Sequence, residues 1–199
     1  MIMRISFILL CFLVAAKGAL ASDILVIEVG GQVSGKVEIE LLEDIAPKHV
    51  ERVKYLAETG AYNNVVFHRV IDGFMAQTGD VQFGLKDSVD LAFAGRGGSQ
   101  LPNLPAEFSL LSYEKGTVGM ARSQHPDSAN SQFFIMFSKA PFLDGKYTVF
   151  GRVISGQDTV DLIKKGQGSN GEVTEPDYCL LYTSPSPRDA TLSRMPSSA

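Results

Sequence analysis

The sequence predicts a mainly β domain whose sheet closes into a barrel, with two α-helices covering the ends. Three observations predict this fold. Short runs of alternating or continuous apolar and β-branched residues recur along the chain, and Gly-containing turns separate them. Only two segments carry the apolar spacing of a helix. The chain has 199 residues, which is long enough to bury one sizeable core.

The first predicted elements are a hairpin and a helix. Residues 23–29 and 35–42 read as paired strands, because Gly and Ser form a turn signal between them. Residues 46–59 read as a helix, since Pro47 suits its first turn and Gly60 suits its end. The apolar stripe of this helix consists of Val50, Val53, Leu56 and Ala57.

The remaining elements are shorter. The pattern predicts strands at residues 65–70, 74–78, 117–121, 132–137 and 147–153, and a second helix at residues 157–165. Residues 84–107 are Gly-rich and have little periodicity. A loop of that length in a compact domain is usually functional or disordered.

Residues 1–21 read as a secretory signal peptide. Arg4 supplies the positive charge, residues 5–16 are apolar but too short to span a bilayer, and residues 19–21 form an Ala-Leu-Ala cleavage site. The mature chain then begins at Ser22, and we expect it in the periplasm of a Gram-negative bacterium or outside another type of cell. An uncleaved anchor fits the short apolar core less well.

Charge and cysteine content exclude several classes of function. The formal charge is −4, and it becomes −6 if Arg4 and Lys17 leave with the signal peptide. An acidic chain is a poor nucleic-acid binder, because phosphate contacts need clustered Lys and Arg. Cys11 and Cys179 are too few for a disulfide framework or a metal cluster. We therefore expect no cofactor, no metal, no nucleic-acid partner and, once the signal is removed, no membrane partner.

The composition changes near the C-terminus. We assign residues 22–178 to one domain and residues 179–199 to an atypical tail, which ends in Ser, Pro and Arg without periodicity. This tail reads as non-native sequence, and a natural disordered tail is the alternative. Residues 180–182 are apolar or aromatic and can fill a last strand; if they do not, the barrel keeps an open edge.

The most informative stretch covers residues 67–80, where one cation, one amide and several large apolar side chains fall close together. Alternation along a strand predicts that Arg69 shares a face with Phe67, and Met75 shares one with Gln77. A cation and an amide beside an apolar floor suit a ligand that is both apolar and rich in carbonyl groups, such as a proline-containing peptide. Residues 131–137 and 142–151 add a second amide and more aromatic residues.

With these three blocks the chain resembles the cyclophilins, a family of peptidyl-prolyl cis-trans isomerases, from about residue 24 to about residue 178. Three motifs in the family's order and spacing are far more specific than one. The resemblance extends to the bacterial, periplasmic type of this family. The resemblance implies a closed eight-stranded antiparallel β-barrel capped by two helices, acting on X-Pro bonds while exported proteins fold.

The resemblance also implies roles for particular residues. Arg69 corresponds to the catalytic arginine; a surface arginine in a salt bridge is the alternative. We expect the proline ring to contact one group of side chains, for which plain barrel core is the alternative: Phe74, Met75, Phe134 and Leu143. The expected core neighbours are Phe67, Phe133, Ile135, Val149 and Phe150. The side chains of Gln77, Gln132 and Arg122 and the backbone of Ala121 correspond to the segments that align the substrate chain.

Three positions differ from many eukaryotic cyclophilins. Phe142 stands in place of Trp, Tyr147 in place of His, and Arg122 in place of Asn. Phe142 lacks the indole N–H donor, so we expect cyclosporin-type inhibitors to bind weakly or not at all. Tyr147 keeps a hydroxyl donor, so the substitution does not argue against activity on peptides.

The same residues are compatible with two other functions. The same residues would serve a binding module, a chaperone or scaffold that grips proline segments without useful catalysis. A small-ligand barrel of the lipocalin type is a weaker alternative, because Arg69 and Gln77 are expected on an outer face. The expected partners are unfolded or extended proline-containing polypeptides, bound by a monomer. The three histidines, His49, His68 and His125, are dispersed and predict no ligand site.

Overall fold

The computed structural model describes residues 23–90 and 92–184. The predicted signal peptide and the end of the tail, from residue 185 onward, lie outside the described residues. The strands are β1 Ile24–Gly30, β2 Gly35–Leu41, β3 Val65–Val66, β4 Arg69–Ile71, β5 Met75–Thr78, β6 Thr117–Met120, β7 Phe133–Met136, β8 Val149–Ser155 and β9 Tyr178–Ser184. The α-helices are α1 Pro47–Glu58 and α2 Gln157–Leu162. Single 3₁₀ turns occur at Lys86–Ser88, Pro126–Ser128 and Pro141–Leu143.

The strands form one curled sheet in which every pairing is antiparallel, in the order β3-β9-β1-β2-β8-β6-β7-β5-β4. The prediction of a mainly β fold with two helices is confirmed. The prediction of a closed eight-stranded barrel is wrong. Within the described ranges the sheet has nine strands and forms a half-barrel that is open between β3 and β4.

The opening has a physical reason. Strands β3 and β4 come from one predicted strand, which the chain interrupts at Phe67 and His68. Other segments then occupy the free edges. The amide of Val66 donates to the carbonyl of Gly84 at 2.8 Å, and the amide of Val70 donates to the carbonyl of Gly171 at 2.8 Å. Backbone hydrogen bonds to these loops therefore replace the pairing of β3 with β4 that would close the barrel. The loops cover both edges of the sheet.

The interior of the half-barrel is filled by one apolar cluster. Helix α1 contributes the predicted stripe to it, and Phe67, Phe133, Ile135 and Phe150 are members as expected. Val149 is also buried, but it belongs to a second cluster on the other side of the sheet. Because side chains fill this interior, the lipocalin-type alternative with an internal ligand has no support. Within the described ranges, no helix combines the length and apolarity of a membrane span.

The N-terminus of α1 is capped from a distant loop. Ala46 provides no side-chain cap, and the Glu107 carboxylate instead accepts hydrogen bonds from the amides of Lys48 at 3.2 Å and His49 at 3.1 Å. The His49 ring nitrogen Nδ1 lies 2.6 Å from the same carboxylate. Burial alone would raise the pKa of Glu107, but these hydrogen bonds outweigh it and lower that pKa. The amide of Glu107 also donates to the Thr148 hydroxyl, which joins α1 to the segment that carries Tyr147.

Strand β9 pairs with β1 over its whole length, from Ile24 opposite Ser184 to Gly30 opposite Tyr178. Cys179 and Leu181 are buried and belong to the interior cluster. Apolar residues at alternate positions thus let this segment act as a half-buried strand. The predicted boundary of the domain at residue 178 stays a prediction.

Candidate active site

A second apolar cluster lies on the face of β5 and β7 opposite the half-barrel interior. Its buried members include Met75, Phe134 and Leu143, and Phe74 and Tyr147 pack against them. The Phe134 and Tyr147 rings meet edge to face at 5.9 Å between centroids. The four residues predicted to contact a proline ring therefore lie together in a cluster separate from the interior one, and their contact with a proline ring stays a prediction.

Alternation along two strands produces this face. In β5, Met75 points to the second cluster, whereas Ala76 belongs to the interior cluster. In β7, Phe134 joins Met75 on the second face, and Phe133 belongs to the interior cluster. Both strands are thus buried on both faces, as in a central strand of a packed sheet.

Arg69 lies beside this cluster in β4, directly opposite Gln77 in β5. Its Nη1 donates to Gln77 Oε1 at 3.1 Å and lies 3.9 Å from the Met75 sulfur. The prediction that Arg69 shares a face with Phe67 is wrong, because the interruption between β3 and β4 changes the side to which the chain points. Phe67 lies in the interior cluster, whereas Arg69 is half-buried next to Met75 and Gln77.

The guanidinium of Arg69 is held at a second point. Its Nε donates to the backbone carbonyl of Asn170 at 3.0 Å. Among the described residues, Nη2 has no such acceptor, so this part of the fork remains available to a ligand. Burial lowers the pKa of Arg69, and the nearby Tyr147 opposes that effect. The group stays charged, because a guanidinium is not deprotonated in proteins.

The two predicted amides form one chain of hydrogen bonds with this arginine. Gln77 Nε2 donates to Gln132 Oε1 at 2.9 Å, and Gln132 Nε2 donates to the carbonyl of Gly97 at 2.7 Å. The carbonyl of Gln132 accepts from the amide of Ala121 at 2.9 Å. Each amide is therefore oriented by its neighbours, and Arg69 occupies the donor end of the chain.

Gly97 is itself positioned by a carboxylate that the sequence reasoning missed. Asp80 is fully buried, and its Oδ2 accepts hydrogen bonds from the amides of Gly95 at 2.7 Å and Gly97 at 3.0 Å. Its Oδ1 accepts from the amides of Gln82 and Phe83. The Gly-rich loop is thus folded around one buried charge, which satisfies four backbone donors.

Arg122 is fixed above the Tyr147 ring, with its guanidinium carbon 4.4 Å from the ring centroid. It also donates to the carbonyls of Ser123, Gln124 and Lys146 at 2.8, 3.1 and 2.9 Å. A groove of about 380 Å³ is shared by the predicted chain-aligning residues, Gln77, Ala121, Arg122 and Gln132. Phe142 lies at the edge of the site, 60% exposed, with its ring 5.6 Å from that of Phe74.

Sequence relationships identify the family to which this arrangement belongs. Residues 24–182 match the family model for cyclophilin type peptidyl-prolyl cis-trans isomerases. The chain belongs to the cyclophilin family. A protein of Brucella suis, named a probable peptidyl-prolyl cis-trans isomerase, is 62% identical over 151 residues, which are 75% of this chain and 77% of that protein. A Caenorhabditis elegans protein named peptidyl-prolyl cis-trans isomerase 10 is 42% identical over 135 residues, 66% of this chain and 77% of that protein.

Solved cyclophilins share the fold. A cyclophilin from Hirschia baltica superposes with a TM-score of 0.63 at 25% identity, over 87% of this chain and 75% of that one. A Cryptosporidium parvum cyclophilin, crystallised in the presence of the dipeptide Ala-Pro, gives a TM-score of 0.63 at 27% identity, over 78% of this chain and 97% of that one. The protein therefore has a cyclophilin fold and is a peptidyl-prolyl cis-trans isomerase.

This cyclophilin site contains further residues that the sequence reasoning missed. Tyr113 is fully buried, and its ring stacks on Phe134 at 5.7 Å between centroids. Asn170 supplies the carbonyl that holds Arg69. Tyr113 lies in a segment without periodicity, and the contribution of Asn170 comes from its backbone. Neither residue therefore carries a signal that a side-chain pattern could reveal.

Proposed function

We propose that this cyclophilin catalyses the cis-trans interchange of X-Pro bonds in exported proteins while they fold in the periplasm. The observation that carries the catalytic part is the Arg69 fork, fixed at Nε and Nη1 beside an apolar cluster. The export part is supported by the N-terminal pattern of residues 1–21.

The chemistry requires one aimed donor. The barrier to rotation of an X-Pro bond is about 18–20 kcal/mol, because the nitrogen lone pair is delocalised into the carbonyl. At the twisted transition state this lone pair is localised on nitrogen and can accept a hydrogen bond. A donor placed beside it binds the twisted state better than either planar state, which is the condition for catalysis. We assign this donor to Nη2 of Arg69.

The other residues bind and orient the peptide. Phe74, Met75, Phe134 and Leu143 offer the proline ring an apolar surface, and exclusion of water there strengthens the hydrogen bond from Arg69. Gln77 and Gln132 line the groove together with Arg122 and Ala121, and we assign peptide N–H and C=O groups to the amide hydrogens and lone pairs that their mutual hydrogen bond leaves over. One charge-assisted hydrogen bond contributes about 1.5–3 kcal/mol, so desolvation and orientation supply the rest of the rate increase.

The decisive experiment measures isomerisation of a short Ala-Pro peptide with a protease-coupled assay. We expect a rate increase proportional to enzyme concentration. Binding of the peptide without any increase would favour a chaperone-like binding module and contradict the proposal. The variant lacking residues 185–199 is a suitable second enzyme, because β9 ends at Ser184.

Export has its own test. Mass spectrometry of the protein made in a Gram-negative host should find Ser22 at the N-terminus of material from the periplasm. Full-length protein that stays in the cytoplasm would contradict the export proposal and leave the catalytic proposal intact.

A further inference from the structure

Residues 166–173 form a strap along the outer edge of β4. The amide of Gly166 donates to the carbonyl of Val70 at 2.9 Å, and the amide of Val70 donates to the carbonyl of Gly171 at 2.8 Å. The amide of Val173 donates to the carbonyl of His68 at 3.2 Å. The strap thus contacts both neighbours of Arg69 in the chain, His68 and Val70, through backbone hydrogen bonds.

The strap also holds the Arg69 side chain. Asn170, at its tip, supplies the carbonyl that accepts from Arg69 Nε, although the two residues are 101 positions apart in sequence. Gln77 holds Nη1 from the opposite strand. With both points fixed, rotation of the planar guanidinium is restricted, and the direction of Nη2 depends on where the strap places the Asn170 carbonyl.

Close packing of the strap on β4 depends on glycine. Gly171 has φ +71, and a Cβ there would lie 2.5 Å from Ile71 Cγ1 and 2.8 Å from the Val70 carbonyl. Gly168 has nearly the same φ, +68, but a Cβ there would meet nothing within 4 Å. The two glycines therefore have similar backbone geometry, and only Gly171 must be small for the strap to approach β4.

We propose that the strap is a positioning element for catalysis, and that Gly171 keeps the Asn170 carbonyl where it aims the Arg69 guanidinium at the bound proline. This inference rests on the proposed role of Arg69. Under this proposal, the strap makes no contact with the substrate. Its effect on turnover passes entirely through Arg69, and this distinguishes it from a general contribution to stability.

The experiment compares four variants of the full chain in the peptide assay: Gly171→Ala, Gly168→Ala, Arg69→Ala and the double variant Gly171→Ala/Arg69→Ala. Gly171→Ala should lower kcat by about 10- to 100-fold, because a displaced catalytic group costs that much, while KM changes little. Gly168→Ala places an alanine in nearly the same backbone conformation, but its Cβ meets no atom of β4. The kcat of this variant should therefore stay within about twofold of wild type. In the Arg69→Ala background, the added Gly171→Ala substitution should lower kcat by less than about twofold.

Four outcomes would overturn the inference. Equal losses for Gly168→Ala and Gly171→Ala would show that backbone strain is responsible. Equal effects of Gly171→Ala with and without Arg69 would show a general structural role. Full activity of Gly171→Ala, with Arg69→Ala inactive, would reject the strap and retain the proposed function. Full activity of Arg69→Ala would reject both.

A measurement on the wild-type protein covers the case in which Gly171→Ala does not fold. The Nε–H of Arg69 should give a resolved NMR resonance with a coupling across the hydrogen bond to the Asn170 carbonyl. Its exchange with water should be slower than that of Arg96, an exposed arginine on the rim of the same surface. Exchange as fast as that of Arg96 would overturn the inference.

Discussion

Replacing Arg69 by alanine should remove most of the catalytic activity while leaving the fold intact. The side chain is half-buried; it donates hydrogen bonds to Gln77 and the Asn170 carbonyl and contacts the Met75 sulfur. None of these partners is in the interior cluster that holds the half-barrel together. We therefore expect the variant to retain the wild-type circular dichroism spectrum and a melting temperature close to that of wild type.

The size of the effect follows from the one hydrogen bond that is lost at the transition state. A charge-assisted hydrogen bond contributes roughly 1.5–3 kcal/mol, which corresponds to about a 10- to 150-fold loss in kcat/KM. Because the bond forms only when the prolyl nitrogen becomes an acceptor, kcat should account for most of the loss. Arg69→Lys should also be impaired, since an ammonium group cannot satisfy Gln77 and Asn170 and still offer a fixed donor to the substrate.

The assay is chymotrypsin-coupled cleavage of an Ala-Pro-Phe peptide, supplemented by NMR line-shape analysis, which needs no protease. Arg152→Ala is the matched control, because Arg152 is an exposed arginine in strand β8, away from the proposed site. Its kcat/KM should equal that of wild type. Arg69→Ala with wild-type turnover, or with an equal loss in the Arg152 control, would refute the assignment of the donor.

Three further predictions concern other groups. Burial lowers the pKa of His68 to about 4, against the opposing charge of Asp80, so below pH 6.5 the unfolded chain takes up a proton that the folded chain does not. The contribution of His68 to the free energy of unfolding, taken as the difference between wild type and His68→Gln in urea, should be nearly constant above about pH 7 and about 2 kcal/mol lower at pH 5. Burial raises the pKa of Cys179 to about 12, so its thiol should not react with a disulfide reagent until the protein unfolds. The measurement uses Cys11→Ser protein, in which Cys179 is the remaining cysteine, and labelling of the folded protein would contradict the buried position. Cyclosporin should bind weakly, since Phe142 offers no N–H donor, and nanomolar inhibition would disprove this.

The sequence predicted the positions of the helices and strands better than it predicted whether the sheet closes into a barrel. Helix α1 and the first hairpin were expected within one or two residues of their observed bounds, because their apolar patterns face a single core. Residues 65–70 were expected as one strand, and the chain instead breaks it at Phe67 and His68. Local alternation carries no information about hydrogen bonds to distant loops such as the one containing Gly171, and those bonds set the edges of the sheet.

The side chains of the candidate site were predictable, but the side of the sheet on which they lie was not. All four residues of β7, Phe133–Met136, are buried, so hydrophobicity alone cannot distinguish Phe134 from Phe133. The family resemblance separated them, and the two clusters now give the physical reason. Asp80 was missed because its carboxylate binds backbone amides, and Asn170 was missed because it acts through its backbone carbonyl; a side-chain pattern reports neither contact.

The division between the two clusters has an evolutionary consequence. A substitution at Phe134 or Leu143 removes contacts from the second cluster, to which we assign proline binding, rather than from the interior cluster. Mutations that alter which peptides are accepted can therefore accumulate without first requiring compensating mutations elsewhere. Such independence would allow descendants of one ancestral scaffold to diversify in their preferred clients through single steps, each compatible with a folded intermediate.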